Sequence, residues 1–205
     1  MVTFVFTPME HKYYGIHKPY NMVSQFISPD DVGLLGDLDF EFPEGTHAIG
    51  RLDNQSEGLL LLTTNKKVTR LLFEGSVPHK RTYLVQVKNK MTQETLEQLR
   101  TGVNIIIKGN ELYTTPPCDV NIVPRPEWVS AGRYDLRADI PHTWITMTLT
   151  EGKFHQVRKM VGVVRHRCQR LIRISIEDML LGDLQPGCVK EFEEAEFFKL
   201  LNIDY

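Results

Sequence analysis

Cysteine is scarce in this chain of 205 residues, and the three present, Cys118, Cys168 and Cys188, are an odd number at wide spacing with no C-x-x-C. That excludes a disulfide framework and a thiolate zinc cluster, and leaves reduced, incidental thiols. Long hydrophobic runs are missing too: "GLLLL" at 58–62 is far short of the roughly 20 residues a membrane helix needs. The opening "MVTFVFTPMEHKYYG" lacks the basic segment, apolar stretch and cleavage site of a secretory leader. The expectation is a cytoplasmic protein with no membrane partner. There is no fixed repeat, no low-complexity linker, no G-x-S-x-G, no H-E-x-x-H, no P-loop and no G-x-G-x-x-G opening a helix. His166 and Cys168, two apart, are poorly spaced for a shared ligand and read as structural. Neither metal nor cofactor is expected.

A hydrophobic content of 41% can bury a real core, and one domain over 1–205 is the natural size. The formal net charge of −2 argues weakly against a general nucleic-acid binder, but it averages over a segregated pattern. Between Lys153 and Arg173 lie seven Lys/Arg (Lys153, Arg158, Lys159, Arg165, Arg167, Arg170, Arg173), two histidines and no acid. From Ile174 onward eight acids face only Lys190 and Lys199, and 30–44 is acidic as well. A positive stripe on a negative molecule suits a polyanion bound at one face. On charge alone a solvated helix face explains it equally well.

Periodicity predicts mixed strands and helices. "YYGIHKP" is a short strand stopped by Pro19, and "GLLLLTT" is a buried strand by its continuous apolar run. Asn65 can cap a short helix bearing Val68, Leu71 and Leu72, ending before Gly75. "RTYLVQVK" and "TWITMTLT" alternate with period two. Thr92 is a cap candidate for a helix bearing Leu96, Leu99 and Val103. A helix is expected at once after Gly152, where Val157, Met160, Val161 and Val164 share one face and His155, Arg158 and Lys159 the other. "RLIRISIE" is the last strand, with Arg173 opposite Ile172, Ile174 and Ile176. Several hairpin-spaced strands with short helices predict an α+β fold around a mostly antiparallel sheet.

Three places could carry chemistry: Arg51 and Asp53 in a loop, Tyr83 in a strand, and Arg158 on the basic helix. Each is ordinary alone, as a turn former, a core tyrosine and a solvated arginine. Together they lie in motifs that resemble one family. "GRLDNQSEGLLLLTTN" resembles the G-R-L-D signature of pseudouridine synthases, and "IHKPYNMVSQF", "KRTYLVQV", "TEGKFHQVRKM" and "RLIRISIEDMLLGDLQPG" match its other motifs in order. The resemblance covers roughly 14–187 and points to the RsuA/RluB/RluE/RluF branch. Within that branch the chain is most similar to the RluE-type large-subunit synthases, which have no small N-terminal S4-type RNA-binding domain.

The resemblance implies a pseudouridine synthase fold, a mixed sheet with flanking helices, bilobed around a cleft. The implied reaction breaks the C–N glycosidic bond of a uridine in ribosomal RNA, turns the uracil and joins C5 to C1′, with no cofactor because no atom is gained or lost. The partner is ribosomal RNA, 23S by this likeness, free or partly assembled, and the enzyme a monomer. Asp53 takes the role of essential carboxylate, Arg158 of its paired cation and Tyr83 of the stacking tyrosine. Arg51 would fill the gap left by the flipped nucleotide, and Leu171 would line the uracil pocket. Phosphate and RNA contacts would come from Lys18, Lys153, His155, Lys159, Arg165, Arg167 and Arg173, offsetting the few kcal/mol that flipping costs. His17 stands where Asn is commoner and Phe154-His155 where Arg or Asn is, implying weaker or pH-dependent phosphate contact; Glu177 replaces a Gly. A catalytically silent RNA-binding module of the same fold, or a nucleoside hydrolase, are the alternatives. The first has no use for Asp53, Tyr83 and Arg158 together, and the second lacks a further carboxylate in these motifs.

Overall fold

The computed structural model describes residues 10–73, 78–129 and 136–205. Its centre is the strand β3 (Glu57–Thr63), in which every residue is buried. The run Leu59–Leu62 explains why: Leu59 and Leu61 enter one apolar cluster, and Leu60 and Leu62 enter another on the opposite face. A strand covered on both sides reads as a continuous hydrophobic run instead of an alternation.

On one edge β3 pairs antiparallel with β1 (Tyr13–Lys18), which pairs in turn with β11 (Val189–Phe192). On the other it pairs with the short β2 (His47–Ile49) and, further back, with β9 (Cys168–Ile176). The β3–β9 contact is the parallel pair of the sheet and consists of Glu57 opposite Ile172 and Gly58 opposite Arg173. Gly58 has φ +101, and a Cβ there would lie 2.3 Å from the Arg173 carbonyl oxygen. Only glycine lets these two backbones meet. Beyond β9 the sheet continues antiparallel through β4 (Arg81–Lys88), β8 (His142–Leu149) and β7 (Asp119–Val123), with β10 (Met179–Leu180) folded back on β9. In β8 the expected alternation holds: Ile145, Met147 and Leu149 are buried and Thr146 and Thr148 only partly so.

The helices are short. In α1 (Val68–Phe73) Val68 and Leu72 face the core, and Asn65 caps it by accepting from the Lys67 amide at 3.1 Å. The expected stop at Gly75 lies outside the described residues. α2 (Gln93–Thr101) starts where predicted, with the Thr92 side chain accepting from the Thr95 amide. α3 (Gln156–Val163) begins three residues later than the periodicity suggested. His155 adopts a left-handed conformation (φ 54), and Gln156 folds its amide back to accept from the Lys153 backbone and donate to Glu151, so 153–155 form a turn. A hairpin of β5 (Asn104–Ile106) and β6 (Leu112–Thr114) follows α2.

The acidic C-terminal segment "EFEEAEFF" belongs to β11 and α4 (Glu194–Leu200). Phe197 and Phe198 are buried against Tyr13, at 4.8 and 5.4 Å between ring centroids, while the acids face outward. Two adjacent apolar residues on a short helix supplied the inward face. Glu177, in the position where glycine is common, takes φ 47 in the turn between β9 and β10.

Candidate active site

A cleft of about 960 Å³ opens over the middle of the sheet. Its floor is one sheet face: Arg81 and Tyr83, two apart on β4, Leu149 opposite Arg81 on β8, and Leu171 and Arg173, two apart on β9. The alternation of strand side chains places these together, since Tyr83 pairs with Arg173 and Val85 with Leu171. Asp53 overhangs this floor from the loop between β2 and β3, with its side chain 32% exposed.

That loop is clamped from two directions. On one side the Leu52 amide donates to Ser24 Oγ and the Ser24 hydroxyl donates to the Leu52 carbonyl, both at 2.9 Å, and the Asn21 amide donates to the Asn54 carbonyl at 2.9 Å. On the other side Arg158 Nη2 donates to the Gln55 carbonyl at 2.6 Å and lies 3.4 Å from Ser56 Oγ. The turn is closed from within by the Ser56 amide donating to the Asp53 carbonyl at 2.9 Å. A side chain held by such a frame keeps its place when a substrate enters.

The structure brings Asp53, Tyr83, Leu171, Arg51, Lys153 and His155 to one cleft. Three expectations need correction. Arg158 does not pair with Asp53: its guanidinium is spent on the backbone two residues further on, because α3 approaches the loop at Gln55 and Ser56. The basic side chain that faces Asp53 is instead His155, whose Nε2 lies 3.6 Å from Asp53 Oδ2. Lys18 is fully buried and is no phosphate contact: its ammonium donates to the carbonyls of Pro19 (2.9 Å), Met22 (2.5 Å) and Asn54 (3.5 Å), tying the first motif to the catalytic loop. Arg173 is likewise buried in the floor of the cleft and not on the outer surface: Nε donates to the Leu59 carbonyl at 2.7 Å, and the Tyr83 oxygen nearby favours its charged form. His17 is also buried, its Nδ1 2.7 Å from the Leu184 carbonyl.

Arg81 and Ser24 were missed in the sequence. Arg81 is buried at the cleft, its guanidinium 4.8 Å from the Phe73 ring centroid. Burial pulls both Arg81 and Arg173 below the ordinary arginine range, while the nearby Tyr83 oxygen favours their charged forms. The period-two position of Arg81 relative to Tyr83 was the available signal. Nothing in sequence pairs Ser24 with Leu52.

Burial pushes the Lys18 ammonium down to about 7 from the ordinary 10.5, against the pull of Glu57 and Asp53. Between those values the unfolded chain binds the proton more tightly, so stability contributed by this site should rise with pH from about 7 toward 10. Wild type should therefore gain on Lys18→Met, which has no such proton, by up to about 1.4 kcal/mol per pH unit in that window. Parallel unfolding midpoints for the two proteins at pH 7 and pH 9 would reject a buried, proton-losing lysine.

Of the basic stripe, Lys159 on α3 is half-buried, and Arg165 and Arg167, beyond the end of that helix, are exposed. Replacing all three by Ala should weaken RNA binding at low salt and flatten the plot of log K against log salt by about one unit for each phosphate no longer neutralised. An unchanged slope would put the RNA on another face.

The family model "RNA pseudouridylate synthase" matches residues 12–162. Ribosomal large subunit pseudouridine synthase E of Vibrio vulnificus is 37% identical over 183 residues, 89% of this chain and 75% of that one. Ribosomal small subunit pseudouridine synthase A of Escherichia coli is 28% identical over 186 residues, 90% of this chain and 72% of that one. A solved "pseudouridylate synthase" superposes with a TM-score of 0.74 at 25% identity, covering 93% of this chain and 74% of that one. A clamped Asp over a Tyr- and Leu-lined floor, carried on a sheet of this order, and a family match over most of the length agree. The chain belongs to the RNA pseudouridylate synthase family.

Proposed function

We propose that this enzyme converts a uridine of large-subunit ribosomal RNA to pseudouridine, acting as a monomer on free or partly assembled RNA. The observation that carries the reading is the placing of Asp53 in a clamped loop, open on one side to a cleft whose floor is Tyr83 and Leu171. The identity to large-subunit synthases exceeds that to the small-subunit one, which favours the large subunit.

The geometry suits the chemistry. The flipped uracil would lie on Leu171 and against the Tyr83 ring, with Asp53 facing C1′ of its ribose. The carboxylate attacks the nucleoside or stabilises the positive charge that develops at C1′ as the glycosidic bond breaks. The freed uracil stays enclosed, turns, and C5 bonds to C1′; the proton on C5 is lost and N1 gains one, so the product is an isomer. Water must be kept from the sugar cation meanwhile, which Leu149, Leu171 and the filled cleft would do. The Tyr83 hydroxyl, close to the buried Arg173, would lie near the ribose as a proton acceptor. Arg51, exposed at the cleft mouth, can reach the gap left in the RNA. Nucleoside analysis of ribosomal RNA from cells with and without the gene tests this: one pseudouridine should disappear from the large-subunit RNA. An unchanged map in both subunits would overturn the reading.

A further inference from the structure

Phe154 is 64% exposed, an unusual position for a large aromatic beside a cleft of charged residues. A singly exposed apolar side chain needs no explanation by itself. This one, however, is organised. Its ring stacks on the His155 ring at 3.8 Å between centroids and 19° between planes, and both line the cleft that holds Asp53. His155 in turn reaches Asp53 at 3.6 Å. The left-handed backbone of His155 fixes the turn that brings the two rings face to face. Lys159 stands over the Phe154 ring at 5.3 Å from its centroid, and Lys153 follows the neighbouring Tyr113 ring at 4.6 Å.

From this we infer that Phe154 is a stacking platform for the RNA base adjoining the flipped uridine, with Lys153 and Lys159 on the phosphates beside it. The inference rests on the reading of the cleft as an RNA-modifying site. The ring lies one stacking layer out from His155, and 3.8 Å is close to the roughly 3.4 Å between successive bases of a strand. An exposed aromatic ring with lysines at hand is the arrangement that holds single-stranded nucleic acid, because every base offers a π-face to the ring and every nucleotide a phosphate to which the Lys159 ammonium can move from over it. A base can stack there only if it has left its own helix. The substrate class that follows is a uridine whose neighbour on one side is unpaired, as in a loop or a bulge.

The test uses a stem-loop RNA carrying the uridine mapped by nucleoside analysis, with the base on either side replaced in turn by an abasic sugar. Stacking is made equally in the bound and the reacting complex, so Phe154→Ala should raise KM by between about fivefold and a hundredfold while kcat stays within about twofold. Phe154→Tyr should restore most of the loss, which excludes a folding defect. At one flanking position, and not the other, the abasic RNA should raise the wild-type KM by a similar factor and erase the effect of Phe154→Ala. An unchanged KM in Phe154→Ala, or losses that multiply with the abasic sugar at both positions, would overturn the platform while leaving the enzyme's activity intact. Failure of wild type to convert the unmodified stem-loop would instead overturn the function proposed above, and the platform with it.

Discussion

Asp53→Asn should lower pseudouridine formation by at least about a thousandfold, some 4 kcal/mol of transition-state stabilisation, while leaving RNA affinity within about tenfold. The amide keeps the shape and size of the carboxylate, and the surrounding frame does not depend on it. Ser24, Asn21 and Arg158 hold the loop through the backbone of Leu52, Asn54 and Gln55, and through Ser56 Oγ. What is lost is a charge facing the sugar. An amide neither attacks C1′ nor balances positive charge there. Single-turnover assays on deproteinised ribosomal RNA, beside filter binding of the same RNA, separate the two quantities. Turnover above a few per cent of wild type, after deamidation has been excluded by mass spectrometry, would move the essential group elsewhere.

Arg158→Ala should cost about a hundredfold, for a different reason from the one its motif suggests. Its guanidinium grips the Gln55 carbonyl and Ser56 Oγ, so its loss frees the loop on the side of α3 and lets Asp53 drift. A displacement of about 1 Å at a reacting centre is enough for an effect of that size. Arg158→Lys should fall between, because an ammonium keeps a donor near the Gln55 carbonyl but lacks the rigid planar group that holds Nη2 between that oxygen and Ser56 Oγ. The loss should vanish in the Asp53→Asn background, where there is no carboxylate left to place. Fully additive losses in that double-mutant cycle would show Arg158 to act on the RNA and not on the loop. Unfolding midpoints of the single variants should stay near wild type, since the residue is only half-buried and Leu52 remains held by Ser24.

Much of this molecule was legible in its chain. The run Leu59–Leu62 announced a strand buried on both faces, the period-two pattern of 142–149 announced β8, and Thr92 announced the start of α2. These are local matters, decided by side-chain spacing and by which backbone groups a side chain can satisfy. The motif around Asp53 likewise pointed to the cleft. Tertiary structure decided what each charge does. Lys18, Arg158 and Arg173 all read as cations for RNA or for Asp53, and all three donate to backbone carbonyls: at Met22, at Gln55 and at Leu59. A sequence displays side chains but not the carbonyl oxygens of distant loops, and every residue carries one, so no pattern of residue types reveals which loop a buried lysine or arginine will satisfy. His155 shows the converse. It stood in the motif as an outlier, and the left-handed turn at its own backbone set it across from Asp53. That placement depends on where α3 starts, which Glu151, Gln156 and the packing of Val157 and Met160 settle together. The sequence alone determined the central strands and the caps at Asn65 and Thr92, because those follow from neighbours along the chain. Which basic side chain faces Asp53 was left to the fold, because it follows from neighbours across space.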